Sequence, residues 1–472
     1  MKHTSRTSLY LGGLILVAAL LVPAGCALMG DDEMDKNVQK DTSWRFPGEF
    51  EEQSTVWLGW LTKEYINGYP TDVVMIDIVR ALEPNVHVKI CVPDSAQKEH
   101  VLSVLNENSI PTGNISFYEK NFTMLYWRDF GPPIFTVNPD GEKRIIDCGF
   151  NCWGYFAESD VQSRMMERID RDVAADMGLE SVMTRLVSEG GDREFNGKGT
   201  LITTEACEFQ RNPNLAREEF ESEFGRLFGG VTNIIWLKQG GLVDDDRYDT
   251  TTIPGPDGVG VAYRTAAANN HVDEYCRFVS SDTILLAEVT EEEAAQSEVA
   301  AENRRRMEAN YEILKNAVDQ DGKPFKIVRM PVPEMIYFTA TPEDEAYASL
   351  TAYAKYTDGT AFPFGQPVTV VPAQSYCNFL ISNDIVLGQK YWMPDMGGMP
   401  ESLKESDKKA EEILQSLFPQ PHDSDDQHHP DQLRRWRDSL LHSAGAVKVS
   451  PSFFPVIEHA SEKHSFTFPI PS

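Results

Sequence analysis

The chain has 472 residues, 41% of them hydrophobic and 10% aromatic, which is ample for a large core and too apolar for a disordered chain. Asp and Glu outnumber Lys and Arg by 73 to 43, a formal net charge of -30, and this argues against nucleic acid as a partner because a phosphate backbone needs a basic footprint. An acidic field also favours approach of a cationic ligand, although solubility or a salty habitat is the larger part of its explanation.

At the N-terminus, Lys2 and Arg6 precede an apolar run that starts at Leu9 and ends in Ala24-Gly25-Cys26. The run is too short to span a bilayer comfortably and has the layout of an export signal over residues 1–26. Its end resembles a bacterial lipobox, in which Cys26 would carry the lipid. Pro23 departs from the usual Leu three residues before that Cys, and ordinary signal cleavage nearby is the alternative. Residues 27–43 read as an acidic tether and 44–472 as a single domain. The expectation is an exported protein of the cell envelope that touches the membrane only through a lipid.

Beyond the tether, apolar runs predict strands over 54–60, 87–93, 144–150, 199–204, 233–237, 282–289, 325–333, 367–381 and 384–392. Helical periodicity lies between them at 71–83, 161–178, 216–229, 291–318 and 405–418. The pattern is mixed α/β without a Gly-rich nucleotide turn, and no internal repeat is visible. GVGVAYR, residues 258–264, lacks the following helix of a dinucleotide fingerprint. Cys91, Cys148, Cys152, Cys207, Cys276 and Cys377 sit in apolar settings, which favours buried free thiols over disulfides. No Cys/His set has zinc spacing. The pair His428-His429 lies in a polar insertion and reads as solvated.

Four stretches place polar residues in apolar surroundings. They are LYWRDFGPP with Trp127, Arg128 and Asp129; VSEGGDREF with Glu189; NNHVDEY with His271 and Asp273; and PAQSYCNFLISN with Tyr376 and Asn378. If NNHVDEY is extended, His271 and Asp273 share a face. Each stretch alone reads more readily as a turn, a loop or a satisfied core histidine.

Together and in order the stretches resemble the guanidine-modifying enzymes, within them the agmatine deiminase and bacterial (Porphyromonas-type) peptidylarginine deiminase family. YWRDFGP is similar to the family's WMRDxGP and CGFNCWGY to its FNxWG. The segment EGGDREFNGKGTLITTEACEFQRNPN is similar to its EGG stretch with the TTEECLLNRNRNP continuation. NNHVDE and AQSYCNFLISN match its GHVDE and ASYxNFYIxN. The resemblance covers nearly all of the chain after the tether. It implies a five-bladed, pseudo-symmetric β/α propeller with the site on its axis. It also implies hydrolytic deimination of a guanidino group, in agmatine or peptidyl-arginine, to ammonia and a ureido product, with no metal or organic cofactor.

The chemistry suits those residue types. A guanidinium is planar and cationic, so carboxylates that grip its N–H groups fix the plane and expose the carbon. The resemblance gives that task to Asp129 and Asp273. His271 would be the acid and base, Glu189 would orient it, and Trp127 and Asn378 would line the substrate. The family's nucleophile is a late cysteine in GGGxIHCxTQQxP. Here residues 440–456, LLHSAGAVKVSPSFFPV, put Val449 in its place, while in a shifted register FFPVIEHASEKHS is the run-up and the catalytic strand is truncated; in both no cysteine follows Cys377. Cys377 is a weak substitute, expected to point away from Asn378 on a strand. A catalytically inactive member that binds guanidinium groups is therefore the alternative reading. Two insertions, 247–268 and 420–436, are further departures.

Overall fold

The computed structural model describes residues 43–60, 72–120, 127–130, 135–155, 161–245, 251–264, 268–344, 347–348, 350–351, 356, 358–392, 400–418, 441–442 and 456–459. The export signal, Cys26, nearly all of the tether, Val449 and His428-His429 lie outside these residues.

One local plan recurs along the chain. A short strand runs antiparallel to a central strand, helices follow, and the next strand pairs parallel to the central one. Parallel neighbours cannot be joined by a tight turn, so the helices serve as the crossovers. Phe135–Val137, Lys143–Gly149 and Glu180–Val187 follow this plan, with helices Val161–Glu167 and Ile169–Met177 between the last two strands. So do Glu194–Phe195, Thr200–Thr204 and Asn233–Leu237, crossed by Glu205–Arg211 and Arg217–Leu227. Cys276–Phe278, Thr283–Glu288 and Lys326–Pro331 repeat it, crossed by Glu291–Ala294 and Glu298–Asn316.

In the first sheet, Gln53–Gly59, His87–Val92 and Ile115–Glu119 are parallel, and the antiparallel partner Val456–His459 comes from the far end of the chain. Leu380–Ser382 and Ile385–Leu387 form a hairpin, and Gln389–Lys390 pairs parallel with Leu441–His442 across helix Ser402–Leu417. The insertion at 247–268 supplies hairpin strands Ile253–Pro254 and Val261–Arg264, which join Val368–Val371 and Phe338–Ala340 in a four-stranded sheet.

Central strands carry apolar residues on both faces because helices or other sheets cover both sides. Ile284, Leu285 and Leu286 are all fully buried, and helix Glu298–Asn316 lays Met307 and Leu314 against the same core. Among the described residues no helix is long and apolar enough to cross a membrane.

The expected elements are mostly present, with corrections at chain breaks. The helix predicted over 291–318 splits at Ser297, whose hydroxyl accepts from the Ala300 N–H at 3.1 Å and starts a new helix. The helix over 161–178 breaks at Arg168. The strand over 367–381 is two strands, and residues 372–379 between them are irregular. Helix Ser95–Glu107 and strand Ile115–Glu119 lie outside the expected set.

Candidate active site

The turn that carries His271 is not a strand. His271 caps a short 3-10 turn, Val272–Glu274, and the extended chain resumes only at Cys276. Long-range hydrogen bonds impose this shape. Asp192 Oδ1 accepts from the Val272 N–H at 2.9 Å. Asp244 accepts from the N–H groups of Ala268, Asn269 and Asn270 at 2.9–3.3 Å. Asn269 and Asn270 adopt φ of 68° and 71°, the left-handed region that Asn tolerates better than most residues.

His271 and Asp273 nonetheless come together, around Gly191 rather than along a strand face. A Cβ at Gly191 would lie 2.4 Å from His271 Nδ1, 2.9 Å from Asp129 Oδ1 and 3.1 Å from Asp273 Oδ2. Only a residue without a side chain lets these three groups meet. Glu189 precedes that glycine pair and approaches His271 from the other ring nitrogen, with Oε2 3.2 Å from Nε2. Asp129, Glu189, His271 and Asp273 are all at least 96% buried.

The charges are matched unevenly. Arg211 Nε donates to both Glu189 oxygens, at 2.9 and 3.0 Å, and its Nη2 donates to the Ala268 carbonyl. Burial alone would raise the Glu189 carboxyl, but Arg211 and then His271 hold it down at about 2. Burial works against a charged imidazole at His271, yet Asp129, Glu189 and Asp273 outweigh it and lift its pKa to about 9. Asp129 Oδ2 accepts from Trp153 Nε1 at 2.8 Å and Oδ1 from the Gly191 N–H at 3.2 Å.

Asp273 differs. Neither of its oxygens accepts a hydrogen bond, and Arg128 Nε, 2.8 Å from Oδ2, lacks the alignment to donate. Burial pushes Asp273 up to about 6, against the pull of Arg128 and His271. His271 Nδ1, 3.5 Å from Asp129 Oδ1, is also without a hydrogen bond. A carboxylate held by Arg128 through charge alone and an imidazole nitrogen without a hydrogen bond therefore meet at the same point.

Arg128 belongs to a buried ion network below this point. Glu49 Oε2 accepts from both terminal nitrogens of Arg128 at 3.0 and 2.8 Å and from Arg277 at 2.8 Å. Arg277 Nε donates to Glu194 at 2.6 Å, and its Nη1 donates to the carbonyls of Phe379 and Cys377. The network ties the N-terminal segment, both Asp-bearing turns and the SYCNF segment together.

The other expected residues are placed as follows. Asn378 is fully buried with both amide atoms unbonded. Trp127 packs in an aromatic cluster with Trp57 and Tyr118, whereas Trp153 is the indole on Asp129. Cys377 sits on a bend rather than a strand, packed in a core with Cys276 and Phe379, and burial pushes its thiol up to about 12. All six described cysteines are free and buried.

Among them, Cys207 lies beside the imidazole. Glu189, Cys207 and His271 offer ligand atoms within 4.8 Å of one another. Arg211 already occupies both Glu189 oxygens, so a metal cation there would sit against a guanidinium, and the trio does not suit one. Residue-type reading missed Arg211, Asp192, Asp244, Trp153 and the network of Glu49, Glu194 and Arg277. Each lies within or beside a motif-bearing stretch, but its role depends on a partner far away in sequence.

Comparison with known proteins follows the same lines. The profile of the Porphyromonas-type peptidyl-arginine deiminases matches residues 45–253 and 259–422, which ends before the segment at 440–456. The agmatine deiminase of Pseudomonas fluorescens is 29% identical over 389 residues, covering 79% of this chain and 88% of that protein. That of Pseudomonas syringae pv. syringae is 28% identical over 387 residues, covering 80% and 88%. The structure of the Enterococcus faecalis agmatine deiminase is 23% identical and superposes with a TM-score of 0.58 over 80% of this chain and 89% of that one, a likeness of mixed α/β fold. With a profile match across most of its length, the chain belongs to the Porphyromonas-type peptidyl-arginine deiminase family.

Proposed function

We propose that this chain acts on a guanidino group, carrying out the hydrolytic deimination of agmatine or a peptidyl arginine. The observation that carries the reading is the Asp273 carboxylate, free of hydrogen bonds, beside Asp129 and His271 Nδ1 around Gly191. Two carboxylates on one side of a planar cation fix its plane by charge-assisted hydrogen bonds. His271 near pKa 9 holds a proton at neutral pH, as a group that must protonate leaving ammonia requires. After giving it up, the imidazole accepts a proton from the attacking water. Glu189 stays ionised and keeps the ring oriented through Nε2. Agmatine is what the named relatives act on, which supports the substrate class. The repeated strand–helix–strand units support a five-bladed propeller.

The attacking group is a cysteine thiolate in the family, and the alignment expected from the sequence puts Val449 at the matching place. That substitution favours a second reading, a protein that binds guanidinium groups without turnover. One experiment separates them. Ureido product is measured from agmatine, free arginine and an arginyl peptide, with wild type and Val449→Cys, each with and without iodoacetamide. Product from wild type that vanishes on alkylation supports deimination by a thiol placed elsewhere. Product from V449C alone supports the binding reading. No product from either, together with no arginine affinity, sinks both. We further infer export with lipid attachment at Cys26; mass spectrometry of the mature N-terminus that finds an unmodified start elsewhere would refute it.

A further inference from the structure

Strands Lys143–Gly149 and Glu180–Val187 run parallel, and a groove of about 400 Å³ opens at their carboxyl ends, beside helix Val161–Glu167. In sheets with parallel strands that crevice is a common place for a ligand. The two strands fall out of step there. Asp147 pairs with Met183 and Gly149 with Val187, so a two-residue step on one strand faces a four-residue step on the other. The surplus residues, Thr184 to Leu186, form a bulge, and a bulge re-aims a side chain. This bulge is pinned. Thr184 Oγ1 donates to Glu223 Oε1 at 2.6 Å and accepts from the Leu186 N–H at 3.2 Å, and Asn212 Oδ1 accepts from the Val187 N–H at 3.0 Å. Arg185, between these anchored residues, lines the groove.

Arg164 lines the same groove from the helix. Every other arginine among the described residues has an ion pair or a hydrogen bond, and Arg164 and Arg185 have neither. In a chain of net charge -30, the two arginines left without a partner share one groove. A carboxylate is at hand. Glu167 lies three residues after Arg164 on the helix, a spacing that favours an ion pair, yet its Oε2 accepts from Arg171 Nη2 at 2.5 Å instead. The groove wall thus carries two uncompensated guanidiniums beside one compensated carboxylate. Phe150 and Val187, each 4% exposed, supply apolar wall.

We propose that this groove binds a small organic anion, its charged groups held by Arg164 and Arg185 and its carbon frame laid against Phe150 and Val187. A guanidinium presents paired N–H donors that match a carboxylate or a phosphate. Two cations on one groove repel each other, and an anion between them relieves that repulsion. The volume falls within the roughly 300–1,000 Å³ of small-molecule sites, and an inorganic ion alone would leave most of it to water. The groove shares no wall residue with the set around Gly191, so the site stands whether or not the chain turns over a guanidine.

The test is titration calorimetry of the full chain with phosphate, succinate and phenylsuccinate at pH 7, with chloride keeping the ionic strength equal. The expected result is saturable binding, tightest for phenylsuccinate, weaker for succinate and weakest for phosphate. Both arginines are exposed, so Arg164→Gln and Arg185→Gln leave the fold intact, which melting curves verify. Each substitution should raise the Kd for phenylsuccinate roughly tenfold, the loss of about one charge-assisted hydrogen bond. No saturable binding of any of the three anions would overturn the site. So would a phenylsuccinate Kd unchanged in either variant, which would place the anion elsewhere. Phosphate bound as tightly as phenylsuccinate would overturn the organic ligand.

Discussion

An alanine at position 191 would put a methyl group at the point where His271, Asp129 and Asp273 meet. Gly191 does not need a positive φ, so the backbone itself accepts the change and the effect is local. The new Cβ would stand 2.4 Å from His271 Nδ1 and 2.9 Å from Asp129 Oδ1, closer than real Cβ contacts allow, and 3.1 Å from Asp273 Oδ2, tighter than most of them. Such overpacking costs about 1–3 kcal/mol of stability, offset by roughly 0.4–1 kcal/mol from a stiffer unfolded chain. The cost to a bound guanidinium is larger. Hydrogen bonds to charged groups contribute about 1.5–3 kcal/mol each, and displacing Asp129 and Asp273 by a few tenths of an ångström weakens both. A loss of about 3 kcal/mol in affinity, on the order of a hundredfold in Kd, is expected. Titration calorimetry with arginine and agmatine measures it, with circular dichroism melts to show that G191A is folded. A folded G191A with the affinity of wild type would refute the guanidinium site placed here.

Arg211→Met leaves the buried Glu189 carboxylate with His271 as its one remaining cationic partner among the described residues and should cost about 3 kcal/mol in urea unfolding, whereas Arg211→Lys should restore part of it. His271 has a folded pKa of about 9 against 6.5, so its contribution is complete below about pH 6.5 and is lost as pH rises through 9. Wild type should therefore lose roughly 3 kcal/mol more than His271→Gln between pH 6 and 10; parallel pH–stability curves would sink this. Glu49→Gln loosens Arg128 from below and frees it to pair fully with Asp273. Guanidinium affinity should fall about tenfold or more while Asp129 and His271 stay in place, and unchanged calorimetric affinity would contradict it.

The residues that carry chemistry were legible because their types are unusual for their surroundings: Asp129 before a Gly-Pro turn, Glu189 before two glycines, and His271 two positions from Asp273. Their arrangement was not. NNHVDEY looks like a strand by alternation, but Asp192 and Asp244, from elsewhere in the chain, hold its backbone in a 3-10 turn. Asn269-Asn270 was the readable local warning, since paired asparagines invite the left-handed conformation they adopt. The repeated unit was invisible for a different reason. Strands such as RIIDCG and TILLAE share a place in a pairing order, and pairing order leaves no fixed residue type behind. The Glu49–Arg128–Arg277–Glu194 network joins residues up to 228 positions apart, beyond any local pattern.

The first strand, Gln53–Gly59, finds its antiparallel neighbour only in Val456–His459. During synthesis that strand leaves the ribosome some four hundred residues before its partner does. Until then VWLG presents an apolar strand with an unpaired row of backbone groups, the kind of edge that recruits other chains. The last sheet contact is therefore a late event and a long loop closure. A chain cut by proteolysis just before Val456 keeps every group around Gly191 but reopens that edge. Its damage would show first as association between molecules, before any change in ligand affinity.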